Sequence, residues 1–208
     1  LNMIKTEVEL KKKIILFTIE DSNFMPTLLS PLIREYKNEI EHVYISKNLF
    51  SFSKLLKKSR FFISNLYPFC ISYKDLFRFF KNTITKYFFK RNPNSIRDFL
   101  ETNNISCSYV KSINDTEFLQ NLKSKEPDLF LFSVFDQIAK PSFISIPKYG
   151  TFNVHLGPLP NYKGGLSSFW LLRNSEKYAG SSIHIVTPKI DEGGLIDEVR
   201  FEINTKSM

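Results

Sequence analysis

Short apolar runs, separated by polar and helix-prone stretches, recur along this chain. The first, Ile14-Ile15-Leu16-Phe17 within residues 13–18, is continuous rather than alternating, which predicts a strand buried on both faces, the habit of parallel sheets. Residues 23–38 read as a loop and a helix, with Pro26 and Pro31 expected only near the first turn, because proline lacks the amide hydrogen that a helix interior uses. Further strands are predicted over 40–46, 105–110, 129–134, 151–155, 182–186 and 195–203, with helices over 94–103 and 115–125. Strands alternating with helices predict an α/β fold: a single Rossmann-like domain over 1–208, its mostly parallel central sheet flanked by helices. No internal repeat or low-complexity linker divides it.

Residues 47–92 depart from that rhythm and predict a helical, aromatic-rich, basic insert. Tyr73, Leu76, Phe77, Phe80, Ile84, Tyr87 and Phe88 recur at the spacing of one helix face, with Lys74, Arg78, Lys81 and Lys86 opposite and Phe79 and Phe89 outside the stripe. The chain carries a net charge of +8, yet the eleven basic residues and one acid (Asp75) of 47–91 carry +10 and the remainder −2. The basic character is therefore local. Two readings stay open: a solvated helix capping the domain, or a docking surface for an anionic membrane, a nucleic acid or a protein.

Composition narrows the rest. Two cysteines, Cys70 and Cys107, without the spacing of a secreted scaffold suggest a reducing compartment. Residues 1–13 lack the apolar core of a signal peptide, and no apolar run approaches the ~20 residues of a membrane span. The expectation is a soluble, cytoplasmic protein. After the first strand stand Thr18-Ile19-Glu20-Asp21-Ser22-Asn23, with no glycine to let backbone approach a pyrophosphate, and no phosphate-loop motif occurs elsewhere. The usual nicotinamide, flavin and ATP chemistries are thus disfavoured. His42, His155 and His184 are too widely separated to read as a metal set.

Chemistry concentrates in residues 150–196. On a strand alternate side chains share a face, so Asn153 and His155 point the same way, about 6.5–7 Å apart along the chain. They precede a Gly/Pro-rich loop, the sheet edge at which open α/β proteins bind ligands. Asp191 lies in a second such loop, Lys189-Ile190-Asp191-Glu192-Gly193-Gly194. An amide, an imidazole and a carboxylate converging at strand ends suit acyl transfer: the first two donate to an oxyanion while the carboxylate orients the ring or takes a proton. By themselves they say less: an Asn-x-His on a strand is more often structural than catalytic, and an Asp beside two glycines is most often just a turn.

Larger motifs join them. Asn153-Val154-His155, Leu159-Pro160-Asn161-Tyr162-Lys163-Gly164 and Asp191-Glu192-Gly193-Gly194 follow in order, with Phe169-Trp170-Leu171-Leu172, Asn174-Ser175-Glu176-Lys177 and Ser182-Ile183-His184-Ile185-Val186 between. This segment resembles the formyltransferase family that includes glycinamide ribonucleotide transformylase, methionyl-tRNA formyltransferase and the amino-sugar N-formyltransferases. The likeness implies N10-formyltetrahydrofolate as donor and co-substrate, no metal, and direct attack of an acceptor amine on the formyl carbon. It implies that Asn153 and His155 stabilise the oxyanion while Asp191 holds His155 charged and relays the amine's proton. It places Phe135, Gln137, Ile138 and Ala139 along the pterin pocket, with Ile190, Glu192 and Gly193 closing its other side, and Tyr162 and Lys163 toward the acceptor. His184 is left as a strand histidine and His42 as a surface or strand-start residue.

The sequence departs from the family at a usual glycine near Val134, at Lys163 in place of arginine, and at Leu156 in place of proline. The end at Met208 suggests a missing C-terminal helix. By elimination, because residues 18–23 lack a phosphate-holding glycine loop and no tRNA-gripping domain follows, a nucleotide-linked amino sugar is the expected acceptor. A glycinamide ribonucleotide or methionyl-tRNA acceptor, a homodimer, and a catalytically silent binding or membrane-docking relative stay open.

Overall fold

The computed structural model describes residues 12–21, 24–47 and 95–203, so apart from Lys47 the predicted insert lies outside the described residues. The chain runs β1 (Ile14–Ile19), α1 (Met25–Tyr36), β2 (Ile40–Ser46), α2 (Ile96–Thr102), β3 (Cys107–Val110), α3 (Thr116–Ser124), β4 (Leu129–Ser133), α4 (Pro141–Ile144), β5 (Thr151–His155), α5 (Ser167–Arg173), β6 (Tyr178–Ile185) and β7 (Leu195–Glu202). They build a seven-stranded sheet in the order β3-β2-β1-β4-β5-β6-β7. The five strands from β3 to β5 are parallel, and β6 and β7 add antiparallel. The fold is α/β with a mostly parallel sheet, as the pattern predicts.

The continuous apolar run of β1 has its reason in this order. Its alternate side chains feed two layers: Leu16 packs with Met25, Leu29 and Ile33 of α1 and Ile96 and Leu100 of α2. Ile15 and Phe17 pack with Leu122 of α3, Phe130 of β4 and Phe143 of α4. Ile15, Leu16 and Phe17 are all fully buried, and a strand with two dry faces cannot alternate.

Two expectations are corrected, and one short helix is added. Pro31 sits well inside α1, not in its first turn. Its ring occupies the exposed side, opposite the buried Met25, Leu29 and Ile33, so core packing holds the helix across the missing hydrogen bond. β6 begins at Tyr178 rather than 182, because β7 supplies partners as far back as the Tyr178–Glu202 pair. The one-turn α4 is anchored by Phe143, and a single turn leaves no periodic trace in sequence.

At the start of α1 the Asp21 carboxylate accepts the Phe24 and Met25 amides at 2.6 and 3.4 Å. Val134, just past β4, takes a positive φ of 50°. That backbone state crowds a β-branched side chain, and the resembled family places a glycine near it.

Candidate active site

The β5–β6 register sets the geometry. Asn153 lies opposite His184 and His155 opposite Ser182, which puts two imidazoles and an amide on one face of the sheet. Asp191 comes to them from the loop between β6 and β7, its φ of 50° in the left-handed region that Asp tolerates better than most residues. Its Oδ2 accepts the Gly164 amide at 2.7 Å and lies 3.3 Å from His155 Nδ1. Its Oδ1 lies 3.2 Å from His184 Nε2 and 3.5 Å from Asn153 Nδ2, which is itself 3.1 Å from His184 Nε2. The structure thus brings Asn153, His155 and Asp191 together. It adds His184, which sequence reasoning leaves on its strand without a task. The signal for it is parity across an antiparallel pair, visible only once β5 and β6 are known to be neighbours.

His155 Nε2 lies 2.6 Å from the Tyr162 carbonyl and 3.2 Å from Ser167 Oγ. The carbonyl and the Asp191 carboxylate can only accept, so a ring with N–H on both nitrogens satisfies both contacts. Gly157 makes this packing fit: a Cβ there would lie 2.8 Å from Ser167 Cβ and 3.0 Å from His155 Nε2. Ser182 Oγ donates to the Gly157 carbonyl and accepts from the Leu159 amide, tying the Gly/Pro loop to β6.

Burial by itself would raise the Asp191 carboxyl. The His184 hydrogen bond, the Gly164 amide and the charges of both imidazoles outweigh it and hold the group below its ordinary 3.8. For His184, burial opposes the charged ring, but the Asp191 hydrogen bond, the Ile185 carbonyl and the Asp191 charge hold it above the ordinary 6.5. The signs define a window. A raised imidazole contributes stability that is complete below its unfolded value and is lost as pH rises through its folded one. A depressed carboxyl contributes above its unfolded value and loses that as pH falls through its folded one. The pair therefore contributes most between about pH 4 and 6.5. In melts from about pH 5 to 9, wild-type protein is expected to lose stability above about pH 6.5 relative to His184→Gln. Parallel curves would contradict the pairing.

The remaining predicted residues are placed less uniformly. The Tyr162 hydroxyl donates to Glu176 at 2.6 Å and accepts from Asn174 at 3.2 Å. Lys163 pairs with Glu192 at 3.3 Å on the surface, near Asp191 but not within its contacts. Ile190 is exposed, and Gly193 backs against the Ile185 carbonyl. In the segment after β4, Phe135 and Ala139 join the core around Phe17. The Gln137 amide is spent on the Ile113 amide, Ser46 Oγ and the Lys111 carbonyl. Ile138 alone of these four is open to solvent, at 61% exposure. Gln137 and Phe135 thus brace this segment from within, while Ile138 offers it a face.

Among the described residues, no helix is long and apolar enough to cross a membrane, and no three His, Cys, Asp or Glu side chains cluster as a metal site would need.

The family model described as formyl transferase matches residues 81–207. Methionyl-tRNA formyltransferase from Macrococcus caseolyticus is 31% identical over 53% of this chain and 36% of its own. The chain spans about a third or less of the length of the curated relatives it matches. Among solved structures, phosphoribosylglycinamide formyltransferase from Streptococcus pneumoniae superposes with a TM-score of 0.60 at 14% identity, covering 93% of this chain and 84% of that one. A sugar 3N-formyl transferase solved with dTDP and 5-N-formyl-THF superposes with a TM-score of 0.52 at 20% identity, covering 93% and 53%.

Proposed function

This chain belongs to the formyl transferase family, and from that premise we propose that it moves a formyl group from N10-formyltetrahydrofolate to a primary amine. The observation that supports this most is Asp191 Oδ2 at 3.3 Å from His155 Nδ1, with Asn153 on the same carboxylate's other oxygen. In this reading the acceptor amine attacks the formyl carbon. The developing oxyanion takes an N–H from His155 Nε2, replacing the Tyr162 carbonyl as its acceptor, and a second N–H from Asn153. Asp191 balances the charged ring and takes the amine's proton on its carboxylate. As the tetrahedral adduct collapses, the bond from the formyl carbon to N10 breaks and that proton passes to N10 of the leaving tetrahydrofolate. The donor fits against the segment 135–139, where Ile138 presents apolar surface, with Ile190, Glu192 and Gly193 opposite and Gln137 fixing the segment's shape.

For the acceptor we favour the amine of a nucleotide-linked amino sugar. Asp21 already occupies the first amides of α1, so a carboxylate stands where the first strand–helix turn would otherwise hold a phosphate monoester. We assign Tyr162 and Lys163 to the acceptor: the Tyr162 carbonyl meets His155 Nε2, and Lys163 lies one residue on, paired with Glu192. A methionyl-tRNA acceptor is the second reading, favoured by the 31% identity to such an enzyme.

The test is turnover of N10-formyltetrahydrofolate against UDP- and dTDP-linked amino sugars, glycinamide ribonucleotide and methionyl-tRNA. Transfer fastest to an amino sugar is expected. Reduced folate should also raise the melting temperature, through about 2.7 kcal/mol of linkage at a hundredfold excess over its Kd. Absence of both transfer and any thermal shift would leave a silent relative as the correct reading.

A further inference from the structure

We propose that His184 is a positioning residue of this site: its Nε2–H clamps Oδ1 of Asp191, so that Asp191 keeps its other oxygen on His155. The inference rests on the formyl-transfer reading. Its argument is geometric. Asp191 sits on a loop, and rotation about a carboxylate's last bond is soft. A carboxylate held through one oxygen alone would swing and exchange its oxygens. Here Oδ2 takes the Gly164 amide and faces His155, so the plane is fixed only if Oδ1 is held too. Among the described residues the contacts to Oδ1 are His184 Nε2 at 3.2 Å and the Asn153 amide at the longer 3.5 Å.

His184 is built for that task. It stands on β6 rather than on a loop and is 2% exposed. Its Nδ1 lies 2.9 Å from the Ile185 carbonyl, which can only accept, so Nδ1 carries a hydrogen and the ring cannot turn over without losing that bond. Nε2 thereby faces Asp191 Oδ1 at 3.2 Å, and the charged ring donates its second N–H there. The two imidazole centroids are 6.4 Å apart with one carboxylate between them. A histidine that merely filled the core would have no use for the second contact.

Two arms test this. In the first, kcat and KM are measured with N10-formyltetrahydrofolate and whichever amine of the panel above is used fastest. His184→Leu should lower kcat by about tenfold to a hundredfold, as a small misplacement does, with both KM values within about twofold of wild type. His184→Gln, whose amide reaches toward Asp191, should recover most of the loss. Full kcat in His184→Leu overturns the clamp, and so does a His184→Gln as slow as His184→Leu at equal melting temperature. If the leucine variant does not fold, His184→Asn, polar but too short to reach Asp191, takes its place under the same criteria. In the second arm, ring nitrogens of ¹⁵N-labelled histidine are titrated in wild type and Asp191→Asn. The His184 midpoint should fall in the variant, and an unmoved midpoint overturns the clamp whatever the activity. Wild-type protein that transfers formyl to no amine overturns the proposed function alone, and the titration then decides for His184.

Discussion

Replacing His155 with alanine, or Asp191 with asparagine, is expected to lower formyl transfer by about 10²–10³-fold, the usual cost of losing one preorganised donor or its charge partner. The two variants remove different halves of one unit. Alanine at 155 deletes the N–H proposed to meet the oxyanion. Asparagine at 191 keeps the shape but leaves the ring without a countercharge, and it can present an amide N–H toward His155 Nδ1 or His184 Nε2 where an acceptor stood. Because the residues act together, the double variant should be little slower than the worse single one. Melting temperatures should change much less than rates, since neither side chain lies in the two apolar layers around β1. Near-full turnover in either single variant would remove that residue from the mechanism.

A second large effect is expected where no side chain exists. A Cβ on Gly193 would lie 1.7 Å from the Ile185 carbonyl oxygen and 2.7 Å from its carbon, both backbone atoms that cannot step aside as a side chain would. The Ile185 amide is bonded to the Gly194 carbonyl at 3.0 Å, and its carbonyl takes His184 Nδ1. Gly193→Ala must therefore push the Asp191 loop off β6 and disturb His184 at once. Overpacking of this kind costs about 1–3 kcal/mol, or roughly 2–12 °C in Tm for a chain of this size. Displacing Asp191 by about 1 Å should lower kcat by about 10²-fold. Gly194→Ala is the control: its Cβ would meet only the Ile185 side chain at 3.9 Å. Equal behaviour of the two variants would show that the close approach at Gly193 does not hold the loop.

Legibility differed by element, for physical reasons. The buried parallel strands announced themselves as β-branched and aromatic runs, because a strand covered on both faces has no polar position to spare. Pro31 misled, since proline's local cost is read from sequence while the packing of Met25, Leu29 and Ile33 that offsets it is not. The start of β6 was misplaced because Tyr178 and Ala179 are strand residues only by virtue of β7. That Gln137 braces its segment was not legible, because its partners Ser46, Lys111 and Ile113 come from other elements.

From sequence alone came the alternation of strands and helices, the shared face of Asn153 and His155 two residues apart on one strand, and the loop position of Asp191. These are short-range consequences of a strand's period of two and of glycine and proline at strand ends. Which residue would close the site came only from the tertiary structure. β6 runs antiparallel to β5, and that single choice of direction sets His184 across from Asn153, 31 positions away, and turns it toward Asp191. Nothing local encodes the choice, since a strand's own sequence specifies which faces are buried but not which neighbour supplies its hydrogen bonds.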